Sequence, residues 1–248
     1  MTTTPPAILA KALSCSAGSG PGLHPLDLSI PHGEIFGLVG HAGAGKSALL
    51  EMLATLRAPQ SGHASVAGFS TVYNREQARR VLGYLPQTLK LHPHLSLREH
   101  LLLMAGLSNL SGARARVEEV LELLSLRDLA EHRPGGLPLG LKRRVGLAQA
   151  ILHRPEVLLL DEPDAGLDPM EARHIRAAVE MLNAGGMTVL LCTRALGEMT
   201  RACTLMGVLA HGALVFYGLG EARGVRWRDP AALERLYVAM APSKVVAV

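Results

Sequence analysis

Gly40-His41-Ala42-Gly43-Ala44-Gly45-Lys46-Ser47 fits the pattern G-x-x-x-x-G-K-[ST], and it stands between the apolar run Ile35 to Val39 and a stretch of helix formers, Lys46 to Leu56. Strand, glycine loop and helix, in that order, are what a phosphate-binding loop requires. The glycines let backbone N–H groups wrap phosphate oxygens, Lys46 brings a compact charge near the β and γ groups, and Ser47 offers a hydroxyl to Mg²⁺. The positive end of the helix that follows favours the same anion. A glycine-rich turn with an accidental Lys-Ser pair would lack this setting.

A second cluster of chemistry lies far along the chain. Val157-Leu158-Leu159-Leu160-Asp161-Glu162-Pro163 puts two carboxylates at the end of an apolar strand, where open α/β sheets place their ligands. Alone, adjacent acids there could merely cap the next turn. Coupled to the phosphate loop, Asp161 is expected to hold Mg²⁺ and Glu162 to orient an attacking water.

The rest of the chain falls into three stretches. Alternating Leu26, Leu28 and Ile30 and the run Ile35 to Val39 predict two strands before the loop, and a short strand is expected near Tyr84. Residues 89–153 read as helical: Ser96-Leu97-Arg98-Glu99 has capping-box spacing and opens a leucine-rich helix, and Val117 to Leu124 suggests another. Strands return at Val157 to Leu160, Thr188 to Cys192, Leu205 to Leu209 and Ala213 to Phe216. The expectation is an α/β sheet with helices on both faces, built from residues 1–88 and 154–220 and interrupted by an α-helical subdomain. A tail, 221–248, carries Trp227 and a short helix at Ala231 to Met240.

With 248 residues, 48% of them hydrophobic, the chain can bury a substantial core, which excludes disorder as its main state. Its formal charge of +4 comes from scattered Lys and Arg with few aromatics among them, which disfavours nucleic acid as a partner. Cys15, Cys192 and Cys203 share no C-x-x-C spacing and are odd in number, so free thiols in a reducing compartment are expected. Cys192, inside an apolar strand, reads as an inert core thiol. His92-Pro93-His94 lacks a Cys or acidic partner at zinc-ligand spacing and reads as a solvent-facing loop. Neither a secretory leader nor a spanning apolar run is expected, which points to a soluble cytoplasmic protein.

These elements together resemble the ATP-binding cassette (ABC) ATPase family. Tyr84-Leu85-Pro86-Gln87 sits where that family has its Q-loop, and Ala165-Gly166-Leu167-Asp168 matches its D-loop, in the family's order and at its separations. The resemblance runs from about residue 8 to 218. It implies a P-loop NTPase (RecA-like) core with an inserted helical subdomain, ATP and Mg²⁺ as cofactors, and a sandwich of two cassettes around two ATP molecules. It implies further that Gln87 senses Mg²⁺ and γ-phosphate and links the site to a membrane-spanning subunit. Glu34-Ile35-Phe36-Gly37, Gly83 to Gln87 and Gly166 to Pro169 are most similar to subunits that serve ABC-2-type exporters.

The pattern departs from the family at three places. Where members carry an L-S-G-G-Q signature loop that meets the partner's ATP, this chain has Leu137-Pro138-Leu139-Gly140-Leu141. Pro138 lacks both hydroxyl and N–H, Leu139 obstructs close backbone approach, and only Gly140 survives. Lys142, Arg143 and Arg144 behind it are expected to leave some attraction for the partner's nucleotide. Where the family has a switch histidine, this chain has Arg194, which is always charged and only donates. Where the family stacks an aromatic on adenine, this chain has Ser16-Ala17-Gly18, at a cost on the order of 1–3 kcal/mol of base stacking.

The function expected is that of an ATP-binding, ATP-hydrolysing transporter subunit, peripheral on the cytoplasmic face of the membrane, with hydrolysis attenuated or dependent on a second cassette. The alternative is an ATP-dependent clamp that holds a dimer with little hydrolysis, and the retained Glu162 speaks against it. A soluble ABC protein of translation or repair usually has two cassettes or a coiled-coil insertion, and a nucleotide kinase or GTPase would share only the phosphate loop.

Overall fold

The computed structural model describes residues 5–16, 22–194 and 199–219; Ala17 and Gly18 of the expected adenine-stacking position, and the expected tail helix, lie outside them. In chain order the elements are β1 (Ile8–Cys15), β2 (Leu23–Ile30), β3 (Ile35–Val39), α1 (Lys46–Leu53), β4 (Ser61–Val66), β5 (Phe69–Ser70), α2 (Arg75–Arg80) and β6 (Leu82–Leu85). There follow α3 (Leu97–Leu107), α4 (Ala113–Leu123), α5 (Leu139–Ile151), β7 (Val157–Asp161), α6 (Pro169–Ala184), β8 (Thr188–Thr193), β9 (Leu205–Ala210) and β10 (Ala213–Leu219). The chain is α/β.

Five parallel strands form the centre of a six-stranded sheet of order β10-β9-β3-β8-β7-β6, with β10 antiparallel at one edge. Strands β3, β7, β8 and β9 are buried along their whole length, which explains their unbroken apolar runs. The period of two survives inside those runs. Phe36, Leu38, Leu159 and Leu190 point to one core, while Ile35, Val39, Leu158, Leu160 and Leu191 point to another.

The two faces are covered differently. On one side α5, α6 and the helices α3 and α4 contribute Val145, Ile175, Leu101 and Val120 to a single cluster. On the other, α1 packs together with a second sheet, antiparallel and four-stranded, of order β2-β1-β4-β5. Helices thus lie on both faces as expected, and a second sheet is added on one of them. Three strands, not two, precede the glycine loop.

The missed strands have physical reasons. In β1 the register shifts between Ala10 and Leu13, and Ala12 takes φ 46°, so the alternation that marks a strand is interrupted by a bulge. Strand β4 buries fully only Ala64 and Val66. Helix α6, also unforeseen, did carry a start signal: Asp168 caps it by accepting from the N–H of Glu171 at 2.8 Å, and Pro169 is its first residue.

The helical stretch agrees with its sequence. Ser96 Oγ accepts from Glu99 N–H at 3.2 Å and Glu99 Oε2 accepts from Ser96 N–H at 2.8 Å, closing the expected capping box, which contributes about 1 kcal/mol to α3. Among the described residues, no helix is long and apolar enough to cross a membrane.

Candidate active site

The site forms where β3, β7 and β8 end side by side. Leaving β3, the chain turns at Gly40, whose N–H donates to Thr193 O at 3.2 Å. A Cβ at Gly40 would stand 2.4 Å from Leu209 O, so only glycine passes here against β9. Gly43 and Gly45 take φ 78° and 104°, which turns successive backbone N–H groups into the loop before α1 begins at Lys46.

Lys46 is 4% exposed. Its Nζ donates to Gly40 O at 2.6 Å and His41 O at 3.1 Å, and lies 3.6 Å from Glu162 Oε1. Burial pulls its ammonium below the ordinary lysine value, and the nearby Glu162 and Asp161 carboxylates oppose that shift.

Asp161 ends β7, and Glu162 follows in a left-handed conformation, φ 48°, with its N–H on Cys192 O at 2.8 Å. A non-glycine residue in that region costs on the order of 1 kcal/mol or more, held here by the flanking strands. Asp161 Oδ1 is buried with no hydrogen-bond partner among the described residues, and the Ser47 hydroxyl is near enough to the same carboxylate to act on its protonation. Burial pushes the Asp161 carboxyl above the usual range, with Ser47 opposing.

Glu162 is the hub. Gln87 Nε2 donates to its Oε2 at 2.9 Å, and Arg194 Nη2 pairs with the same oxygen at 2.5 Å. Gln87, Lys46 and Arg194, brought from three separate stretches of sequence, thus converge on one carboxylate that is 6% exposed. Asp168 does not join them; it caps α6. Leu137, Pro138, Leu139, Gly140 and Leu141 lie at the start of α5, with Pro138 as an N-cap that has no side-chain cap bond and Leu139 44% exposed.

From sequence, Arg143 reads only as part of a positive helix end. In the structure it is 5% exposed and turned inward, donating from Nη1 to Pro86 O at 3.0 Å next to Gln87. Burial pulls its guanidinium below the ordinary value, opposed by Asp161, Asp164 and Glu162. Arg144 likewise bonds within the chain, to Leu124 O at 3.4 Å. Lys142 alone of the three has no such inward contact among the described hydrogen bonds. Cys192 is fully buried in β8, and burial holds its thiol well above its usual value, as an inert core thiol requires.

Comparison with known proteins agrees with this geometry. The family model described as ABC transporter matches residues 23–165. The linearmycin resistance ATP-binding protein of Bacillus subtilis is 34% identical over 196 residues, 78% of this chain and 63% of its own length. The chain therefore spans less than two thirds of that relative. A solved ATP-binding subunit of an ABC transporter superposes with TM-score 0.81 at 29% identity, covering 94% of this chain and 98% of the other. A dimeric, post-hydrolysis ATP-binding cassette bound to ADP and Pi gives 0.76 at 25% identity, over 86% and 98%. With the family model matched across the glycine loop and the acidic strand end, the chain belongs to the ABC transporter family.

Proposed function

We propose that this chain binds Mg-ATP at Gly40–Ser47 and hydrolyses it, as the nucleotide-binding subunit of a transporter whose membrane-spanning subunit is a separate partner. The observation that carries the reading is the convergence of Lys46 and Gln87 on Glu162, beside an Asp161 oxygen that no described residue satisfies.

Mg²⁺ fits the donor set. A buried carboxylate oxygen without a partner among the described residues, with a serine hydroxyl nearby, suits a hard divalent cation. When bound, Mg²⁺ neutralises charge on the β and γ phosphates. His41, Ala42, Gly43 and Gly45 supply backbone N–H groups, while the N–H groups of Gly40 and Ala44, donating to Thr193 O and His41 O, shape the loop. Lys46, now on the loop's own carbonyls, exchanges them for phosphate oxygens.

Glu162 takes the proton of the water that attacks γ-phosphate, and Gln87 holds the carboxylate in line. Arg194 occupies the same oxygen of Glu162. A guanidinium cannot accept a proton, so Arg194 restrains the carboxylate without relaying anything through it. That contact is also what favours the clamp reading, in which nucleotide holds a dimer and hydrolysis is minor. Glu162 at the strand end weighs against it.

In this reading residues 1–88 and 154–220 form the core, and 89–153 carry the signature segment Leu137 to Leu141 to a second cassette, with Asp168 at the dimer contact. The segment 221–248 is a tail. The chain acts on the cytoplasmic face of the membrane, where ATP is supplied, through its partner.

Phosphate release by the purified chain alone is expected to fall well below the ~10 per second of a typical enzyme and to rise when the membrane subunit or a cassette with an intact signature is added. A rate near that value from the chain alone contradicts the partner dependence.

A further inference from the structure

A phosphate loop leaves the nucleoside to be held elsewhere, and here the space that adjoins it is defined. A cavity of about 510 Å³ opens beside Gly43, lined among others by Ser14, Leu23, His24, Gln60 and His211. Its volume is within the ~300–1,000 Å³ of small-molecule sites. None of its described lining residues is Phe, Tyr or Trp. The flat π-systems available there are two imidazoles.

The backbone that carries those two exposed imidazoles is held in place. His211 and Gly212 form the turn of the β9–β10 hairpin, flanked by the pair Ala210 and Ala213, with φ 47° and 78°. Two left-handed residues in succession make the tight hairpin turn that follows strand twist. Gly212 N–H donates to Ala44 O of the phosphate loop at 3.0 Å, and Gly212 O accepts from His24 N–H at 2.8 Å. The turn is thus tied to the loop on one side and to the start of β2 on the other. A Cβ at Gly212 would stand 3.3 Å from His24 Cδ2, so the His24 ring lies against the turn.

His41, inside the phosphate loop, backs the arrangement. Its ring centroid is 4.8 Å from that of His211 at 55°, its Nδ1 bonds Ala42 O at 2.6 Å, and its Nε2 is buried without a partner among the described residues. One imidazole therefore packs against the other beside the phosphate loop.

We propose that His211 and His24 form the surface on which the adenine base of ATP stacks, replacing the aromatic that this chain lacks at Ser16-Ala17-Gly18. The proposal rests on the nucleotide reading above and adds the residues that recognise the base. Imidazole faces stack on bases as larger aromatics do, and each stacking contact on a base accounts for roughly five- to a hundredfold in affinity.

Equilibrium binding of Mg-ATP and of Mg-tripolyphosphate to the full chain separates base from phosphate. His211→Ala and His24→Ala are each expected to weaken Mg-ATP by about tenfold and leave tripolyphosphate unchanged, with His211→Trp restoring ATP binding. Unchanged ATP affinity in both alanine variants overturns the proposal. So does an equal loss of ATP and tripolyphosphate, which would mean that the histidines only brace the loop. If the native chain binds tripolyphosphate and ATP equally well, the base has no site here; if it binds neither, the nucleotide reading itself falls and takes this one with it.

Discussion

Glu162→Gln is expected to lower steady-state ATP hydrolysis, measured together with the membrane-spanning subunit proposed above, by about 10²–10⁴-fold, the usual contribution of a general base, and to leave Mg-ATP bound. The amide keeps the side chain's shape, and its oxygen still accepts from Gln87 and Arg194, which meet the native carboxylate at 2.9 and 2.5 Å. What it loses is the ability to take a proton and the negative charge that faces Lys46 at 3.6 Å. The backbone stays anchored, because the residue-162 N–H on Cys192 O does not depend on the side chain. Phosphate release and nucleotide binding measured on one preparation separate the two effects. Turnover that persists in the variant assigns hydrolysis to another cassette and leaves this chain the role of binding nucleotide or transmitting force.

Pro138→Ser combined with Leu139→Gly raises turnover by about 10–100-fold, the worth of one hydrogen bond to a charged group of roughly 1.5–3 kcal/mol. Helix α5 starts on Pro138 with no side-chain cap and no acidic residue in its first turn. Its leading N–H groups are those that a serine hydroxyl and a glycine would present to a phosphate. Leu139 stands over them, 44% exposed, with its Cδ2 3.1 Å from where a Cβ on Gly166 would be. Gly140 is closed on its other side, since a Cβ there would lie 2.4 Å from Glu171 Oε1. The two substitutions uncover the helix end without touching that contact. Turnover unchanged in a symmetric dimer contradicts the assignment of Leu137 to Leu141 to the neighbour's nucleotide.

The parts of the site that were legible in sequence are those whose chemistry is local. Gly40 to Ser47 carries its own backbone geometry, and Asp161-Glu162 is marked by the buried strand before it. Gln87 was found through its place in an ordered set. The structure adds that it lies on Glu162. The inward turn of Arg143 and Arg144 is not legible in sequence, because a run of Lys and Arg on a helix looks alike whether it faces water or a neighbouring loop; only the packing of α5 against β6 and α4 sets it. His211 was invisible for a similar reason. It lies far from Gly43 along the chain, and only the hydrogen bond from Gly212 to Ala44 brings it there. The second sheet was lost to the bulge in β1 and the sparse apolar content of β4, where tertiary pairing overrides a weak local pattern.

The most direct test is equilibrium binding of Mg-ATP to the purified native chain and to Lys46→Ala. Lys46 is the cation of the loop, buried and shared among Gly40 O, His41 O and Glu162. Saturable binding of one ATP per chain is expected, weakening by at least about tenfold in the variant through loss of a charge-assisted contact to phosphate. Native binding that is absent, or that is the same in Lys46→Ala, contradicts the assignment of Gly40 to Ser47 as the nucleotide site.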